Sequence, residues 1–218
     1  MSKPVLLYWD GRGRAEIVRL IFTAAEVEWD EAPVLETKEQ VERARSEGLL
    51  KFGQFPLVQW EGRDMVQTSA IVRFIARRHD LLGDDPDQLY WIDCLYEGAT
   101  DMKAPFLLKG FVPDKTYADN TSNNWNRYLP VFEKTLKKNG ADFLVGTRLS
   151  LADVALFEVL LYSEDEEHLT LDAFPQLQAF YERMRADSRF ATYLGSARRR
   201  GPPEPAYIEI VKKSLGLA

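Results

Sequence analysis

The chain has 218 residues, 45% of them apolar, 12% aromatic and 28% charged, so it can bury a sizeable core and is not a disordered polymer. A formal charge of −6 argues against a general affinity for nucleic acid or anionic membrane, and no apolar run approaches the ~20 residues that a membrane span requires. A single cysteine, Cys94, excludes an intrachain disulfide and makes a reducing cytosol the default compartment.

Met1-Ser2-Lys3-Pro4 carries no signal-peptide pattern and leads straight into a short strand over 5–8. Asp10-Gly11-Arg12-Gly13-Arg14 then passes to a helix over 15–25, in which Ile17, Leu20, Ile21 and Ala24 have helical spacing. Residues 28–33 read as extended and 37–45 as a charged helix. Two strands over 57–60 and 64–67 flank Glu61-Gly62-Arg63, a short loop that suits a hairpin. A helix follows over 68–78, for which Thr68 and Ser69 are good N-cap residues. This βαβ-then-ββα order predicts a small mixed sheet with helices packed on it.

Turn formers over 81–86 read as a linker, and beyond them helical periodicity dominates over 88–109, 117–139, 151–162, 175–187 and 188–194. In the closing segment, GPPEPAYIEIVKKSLGLA, the prolines resist a helix, but from Ala206 onward Tyr207, Ile208, Val211 and Leu215 fall on one apolar stripe. The expected division is an α+β domain over 1–80, a linker over 81–86 and an all-helical domain over 87–218.

Several residues read as structural. Ser150 and Asp153 have capping-box spacing before an almost wholly apolar helix, Cys94 sits at core spacing and reads as a buried thiol, and Arg198-Arg199-Arg200 reads as a solvated turn. His79 and His168 lie far apart without a ligand pattern, so no metal is assigned. The Gly11-x-Gly13 stretch fails as a dinucleotide fingerprint, since neither the third glycine nor the acidic partner is placed for it.

Tyr8 at a strand end, the Gly11-Arg12-Gly13-Arg14 turn, Gln54-Phe55-Pro56, Val66-Gln67-Thr68 opening a helix and Ser150-Leu151-Ala152-Asp153 opening another together resemble the cytosolic glutathione S-transferases, most closely the alpha class. The resemblance runs over essentially the whole chain. It implies an α+β N-terminal thioredoxin-like domain followed by an all-α helical-bundle domain, and glutathione as co-substrate. It makes Tyr8 the donor to the glutathione sulfur and Arg14 a source of positive field beside it. Arg45 and Gln54 match residues at the glycine end of the tripeptide, and Gln67 and Thr68 match those for the γ-glutamyl carboxylate. Phe55-Pro56 matches the family's cis-proline, which leaves the Phe55 backbone to pair with the cysteinyl backbone. Asp101 and Arg127 match residues that reach the neighbouring subunit's tripeptide, Phe52 matches the aromatic key of the dimer, and Trp9, Gly11, Leu107, Leu108 and Phe111 match the electrophile pocket. Ser69 departs from the alpha pattern, which has an arginine there on the dimer axis, and Gly216-Leu217-Ala218 lacks the aromatic ending common in that class.

The chemistry is consistent with these types of residue. A thiol of pKa near 8.5 is only ~7% thiolate at pH 7.4, and lowering it by ~2 units to reach ~90% requires about 2.7 kcal/mol. One hydrogen bond to a charged group supplies roughly 1.5–3 kcal/mol, so a single hydroxyl nearly suffices. Nucleophilicity falls as the pKa falls, by about as much as the thiolate fraction gains, so the acceleration must come mainly from holding thiolate and electrophile together. The expected function is conjugation of glutathione to hydrophobic electrophiles by a cytoplasmic homodimer, with peroxidase or isomerase side activities and no nucleic-acid or membrane partner. The alternatives are a sigma-like glutathione-dependent prostaglandin isomerase and a non-enzymatic carrier or lens-type structural protein.

Overall fold

The computed structural model describes residues 2–32, 37–140, 142–166 and 168–217. Met1, Pro33 and Ala218, which the expected strand and domain limits include, lie outside them.

The apolar run after Pro4 forms β1 (Val5–Leu7), and after Tyr8 the chain turns through Gly11 and a short 3₁₀ turn, Gly13–Ala15, into α1 (Glu16–Ala24). β2 (Asp30–Glu31) returns parallel to β1, pairing Val5 with Asp30, so α1 is the crossover that parallel strands need. α2 (Lys38–Ser46) opens on Thr37, whose hydroxyl accepts from Gln40 N while the Gln40 side chain returns the bond to Thr37 N. β3 (Leu57–Trp60) and β4 (Arg63–Val66) complete a mixed sheet of order β2-β1-β3-β4. Both residues between them have positive φ, +50° at Glu61 and +73° at Gly62, so the hairpin loop is two residues long rather than three.

α3 (Thr68–Arg78) starts one residue earlier than its expected caps. Gln67 occupies the N-cap with φ +69° and makes no capping bond, so Thr68 and Ser69 lie inside the helix. The connection at 81–85 carries two buried leucines, and the Leu81 carbonyl accepts from Leu151 N at 2.9 Å. α4 (Pro86–Lys103) is capped by Asp85 and stops short of the expected 109, because Pro105 has no N–H to continue the ladder and residues 104–108 tighten into a 3₁₀ turn. α5 (Asp114–Asn139) ends on Gly140 at φ +93°, a left-handed cap. α6 (Leu151–Ser163), α7 (Pro175–Ala186), α8 (Ser188–Leu194) and α9 (Pro205–Leu215) follow.

The main core runs through both halves. All nine residues of α1 are buried, and α1 packs on α3, α6 and α8. α6 is almost wholly apolar and buried from Leu151 to Tyr162, as a central helix must be. Its start is fixed by Asp153, fully buried, which accepts from Ser150 N, Ser150 Oγ and Leu144 N. Burial pushes this carboxyl up to about 6 against the pull of those three donors. A second, smaller cluster joins Trp9, Val41, Ala44, Leu50, Phe55 and Leu57 to Val211, so α9 closes the chain onto α2 and the end of β1. Cys94 is exposed on α4, contrary to the expected buried thiol. No helix among the described residues is long and apolar enough to cross a membrane.

Candidate active site

Tyr8 stands immediately after β1, and Gly13 lets the backbone curl under it. A Cβ on Gly13 would sit 2.4 Å from the Tyr8 hydroxyl, and Gly13 has φ +42°, so the turn needs glycine twice over. The Tyr8 oxygen accepts from Arg14 N at 3.0 Å, which leaves its own proton free to donate outward. Burial raises its pKa above 10, while the Arg14 N–H and the charges of Arg14 and Arg19 oppose that shift. The phenol is therefore neutral and a hydrogen-bond donor throughout the neutral range.

Two cavities meet at Tyr8. The larger, about 390 Å³, is lined by Tyr8, Trp9, Arg14, Arg45, Gln54, Phe55, Gln67 and Thr68, with Gly53, Ser69, Val211 and Leu215 completing the wall. It collects polar side chains from the β1 turn, α2, the loop before β3 and the start of α3. Arg45 is braced by Gly53 O at 3.1 Å and Glu42 at 2.7 Å. The Phe55–Pro56 peptide is cis. The first N–H groups of α3 face this end without a side-chain cap, which is a ready anion site of about half a positive charge.

The smaller cavity, about 170 Å³, is lined by Tyr8 and Arg14 on one side and by Phe106, Leu107, Leu108, Phe111, Tyr162, Tyr207 and Val211 on the other. Leu107, Leu108 and Phe111 thus come together as expected. Trp9 instead lines the polar cleft, and the space left open by Gly11 is taken by Tyr207, whose ring lies 2.4 Å from where a Cβ would be. A bigger hollow, about 610 Å³, lies elsewhere, between the end of α1 and α8, and holds none of the expected site residues.

Three of those residues stand apart. Asp101 and Arg127 are exposed on α4 and α5 and line neither cavity; the Asp101 carbonyl accepts from Asn124, and Arg127 lies over the Tyr128 ring at 5.1 Å. Phe52 is 62% exposed on the loop after α2. His168 meets Thr121 at 3.3 Å, and among the described residues no group of three or more His, Cys, Asp or Glu is placed to hold a metal.

Other residues were given no role at the site. Arg12 is buried, paired with Asp165 and stacked 4.6 Å from the centre of the Tyr162 ring. Arg19, fully buried, donates to both Glu31 oxygens, to Glu16 and to Gly11 O. An arginine inside an otherwise apolar helical stretch was the signal available for it. The Arg198-Arg199-Arg200 triplet is no solvated turn: Arg198 donates to Trp29 O, Arg199 to Glu16, and Arg200 meets Asp10 and Glu31.

The family model described as glutathione S-transferase, C-terminal domain, matches residues 100–197. The chain is 40% identical to glutathione S-transferase 3 of Gallus gallus, over 98% of this chain and 95% of that one, and 39% identical to glutathione S-transferase A3 of Mus musculus, over 97% and 98%. Among solved structures, the glutathione S-transferase of Ascaris lumbricoides superposes with a TM-score of 0.80 at 26% identity, over 93% of this chain and all of that one. The monomeric Na-GST-3 of Necator americanus gives 0.78 at 25%, over 93% and 98%. With relatives this similar over nearly the full length of both partners, and with a neutral phenol placed where a polar cleft meets an apolar one, the chain belongs to the glutathione S-transferases, beside their alpha-class members.

Proposed function

We propose that Tyr8 is the group that holds the glutathione thiolate while a hydrophobic electrophile approaches from the smaller cavity. The observation that carries this reading is the position of the Tyr8 hydroxyl at the seam of the two cavities, with its oxygen occupied by Arg14 N and its proton unspent. The tripeptide lies in the polar cleft, its γ-glutamyl carboxylate at Gln67, Thr68 and the start of α3, its glycine carboxylate at Arg45 and Gln54, and its cysteinyl backbone along Phe55, before the cis Pro56. Deprotonation leaves a thiolate that Tyr8 O–H stabilises by hydrogen bond and Arg14 by charge. Leu107, Leu108, Phe111 and Val211 offer the electrophile an apolar wall and exclude water from the forming C–S bond.

Glutathione serves as co-substrate, and the enzyme works in the cytoplasm as a two-fold homodimer. Phe52 is its key, and Asp101 and Arg127 complete the partner's cleft, which accounts for a phenylalanine left 62% exposed. The chain divides functionally into residues 1–80, a linker at 81–86 and residues 87–218.

Replacing Tyr8 by Phe tests the reading. Turnover of a generic aryl halide falls at least about tenfold, equivalent to ~1.4 kcal/mol of transition-state stabilisation, with little change in glutathione affinity. Wild-type turnover in that variant would remove Tyr8 from its role. Retention on immobilised glutathione without turnover of any electrophile, hydroperoxide or prostaglandin endoperoxide would favour a carrier instead. Sedimentation of the purified chain checks the assembly: a fully active monomer would remove Phe52, Asp101 and Arg127 from theirs.

A further inference from the structure

From Trp9 to Gly13 every residue of the turn that carries Tyr8 is held by a side chain from another element. The Trp9 indole N–H donates to Ser214 Oγ at 2.9 Å, and the Asp10 carboxylate is paired with Arg200. Gly11 O accepts from Arg19 Nη1 at 2.9 Å, Arg12 is paired with Asp165, and Gly13 O accepts from Tyr162 O–H at 3.1 Å. Arg19 and Tyr162 belong to the buried helices α1 and α6, and Asp165 follows α6 directly. Ser214 and Arg200 belong to the C-terminal segment, whose helix α9 has 11 residues and is too short to be stable undocked.

The Trp9–Ser214 contact is buried on both sides, while Asp10–Arg200 is an ion pair whose carboxylate is largely exposed. Ser214 is fully buried, and its hydroxyl proton goes to Val211 O at 3.0 Å, which turns its lone pairs toward the indole. Trp9 is itself buried, so its N–H has to find such a partner. Arg200 is fixed by donating to the carbonyls of Ala197 and Arg198 and reaches Glu31 on β2 as well as Asp10, so it ties the turn to the sheet edge. The Trp9 ring in turn meets the Tyr8 ring edge-on, with centroids 5.2 Å apart at 83°.

We propose that Ser214 and Arg200 are positioning residues of the conjugation site: from the C-terminal segment they hold Trp9 and Asp10, the two residues that follow Tyr8, and so fix the direction of the Tyr8 hydroxyl. Docking of α9 then does more than wall the smaller cavity. When α9 is seated the turn is held at every position from Trp9 to Gly13; when it lifts, Trp9, whose ring packs on the edge of Tyr8, loses its Ser214 partner, while Arg200, which precedes α9, stays on Asp10. The inference rests on the reading of Tyr8 as the thiolate's hydrogen-bond donor.

A double-mutant cycle between Trp9 and Ser214 tests it, with steady-state kinetics and the ultraviolet absorbance of bound glutathione thiolate as readouts. Ser214→Ala lowers kcat about three- to tenfold and raises the pH at which bound thiolate appears, while KM for glutathione stays within about twofold. In a Trp9→Phe background, which has no indole N–H to satisfy, Ser214→Ala has no further effect. Asp10→Asn and Arg200→Gln behave as a second such pair, each lowering kcat and the two together no more than one alone. Amide exchange over 205–215 accelerates in Ser214→Ala without loss of protection in α6, and is unchanged in Arg200→Gln, whose partners lie outside α9. Unchanged kcat in Ser214→Ala, or an equal loss with and without the indole, overturns the proposal. If Ser214→Ala loses protection throughout, the Asp10 and Arg200 pair decides, and additive losses there overturn it. A wild-type chain without conjugating activity would overturn the reading of Tyr8 instead, and the exchange data would still report whether α9 and the turn are coupled.

Discussion

Two turns of one sheet, both built around positive-φ residues, differ in what fixes their backbones. The backbone of the hairpin at Glu61 and Gly62 is closed by its own strands, with Trp60 paired to Arg63; Arg78 of α3 reaches the Glu61 carboxylate and the Trp60 ring, and a Cβ on Gly62 would meet nothing within 4 Å. The turn after β1 is not closed by strand pairing at all. Its Gly13 faces the Tyr8 hydroxyl, its Gly11 faces Tyr207, and side chains from α1, α6 and the C-terminal segment hold it from Trp9 to Gly13. A turn that only reverses the chain can be local, whereas one that must present a hydroxyl in a fixed direction borrows rigidity from the surrounding core.

The largest effect should come from removing the buried cation beneath the second turn. Arg19→Met deletes the bonds to Gly11 O, Glu16 and Glu31 and leaves two carboxylates short of a partner. Breaking a buried ion pair in this way costs about 3–5 kcal/mol, so urea unfolding should show a loss of that size. A loss under about 1 kcal/mol would mean that the network under the turn is dispensable.

Next comes the glycine at the hydroxyl. Gly13→Ala places a methyl 2.4 Å from Tyr8 Oη at φ +42°, so either the ring or the turn must move. The expected fall in kcat/KM for conjugation is at least about a hundredfold, equivalent to ~2.7 kcal/mol. Kinetics within threefold of wild type would show that the Tyr8 position is not what the turn protects.

These two residues also mark how far the sequence was legible. The hairpin could be read because Glu61-Gly62-Arg63 between two extended runs is a local signal, although the loop proved one residue shorter, and the βαβ-then-ββα order, the capping box at Ser150 and Asp153 and the buried α6 are local in the same sense. The residues that brace the catalytic turn were not read, because their partners are remote: Trp9 and Ser214 are 205 positions apart, and Arg199 and Glu16 are 183 apart. A run of three arginines is ordinarily a solvated face, and nothing near it in the chain reveals that Glu16, Glu31 and Asp10 wait for it. Thr68 and Ser69 have the right chemistry for an N-cap, but the backbone enters α3 one residue earlier, at Gln67 with φ +69°. Cys94 shows the converse, since apolar spacing on α4 did not decide which face of that helix meets the core.

A smaller effect concerns pH. Burial alone would raise the Glu31 carboxyl, but hydrogen bonds and charge from Arg19, with the charge of Arg200, outweigh it, so its folded value lies below 4.5. A carboxyl held down in the folded state contributes stability that is complete above 4.5 and disappears as the pH falls through the lower folded value. Glu31→Gln should therefore be less stable than wild type at pH 7, and its stability should decline less steeply below pH 4.5. Parallel pH profiles for the two chains in urea titrations would show that Glu31 is not held by Arg19 in solution.

The smallest effect sharpens the comparison from the other side. Gly62→Ala adds a methyl into open space, so no neighbour has to move and only the backbone resists, at φ +73°. Placing an L-residue in the left-handed region costs roughly 1–2 kcal/mol, and the alanine also loses less chain entropy on folding, which offsets about 0.4–1 kcal/mol of that. The net loss should be about 1 kcal/mol or less in urea unfolding, with kcat and both KM values unchanged, because no residue of the hairpin touches the cavities that meet at Tyr8. The same glycine-to-alanine change at Gly13 and at Gly62 thus separates the two kinds of turn: one should register in catalysis, the other only in stability. Should Gly62→Ala slow conjugation severalfold while the fold stays intact, the hairpin would have to communicate with Tyr8 through β3 and β1, and the division between a local turn and a braced one would fail.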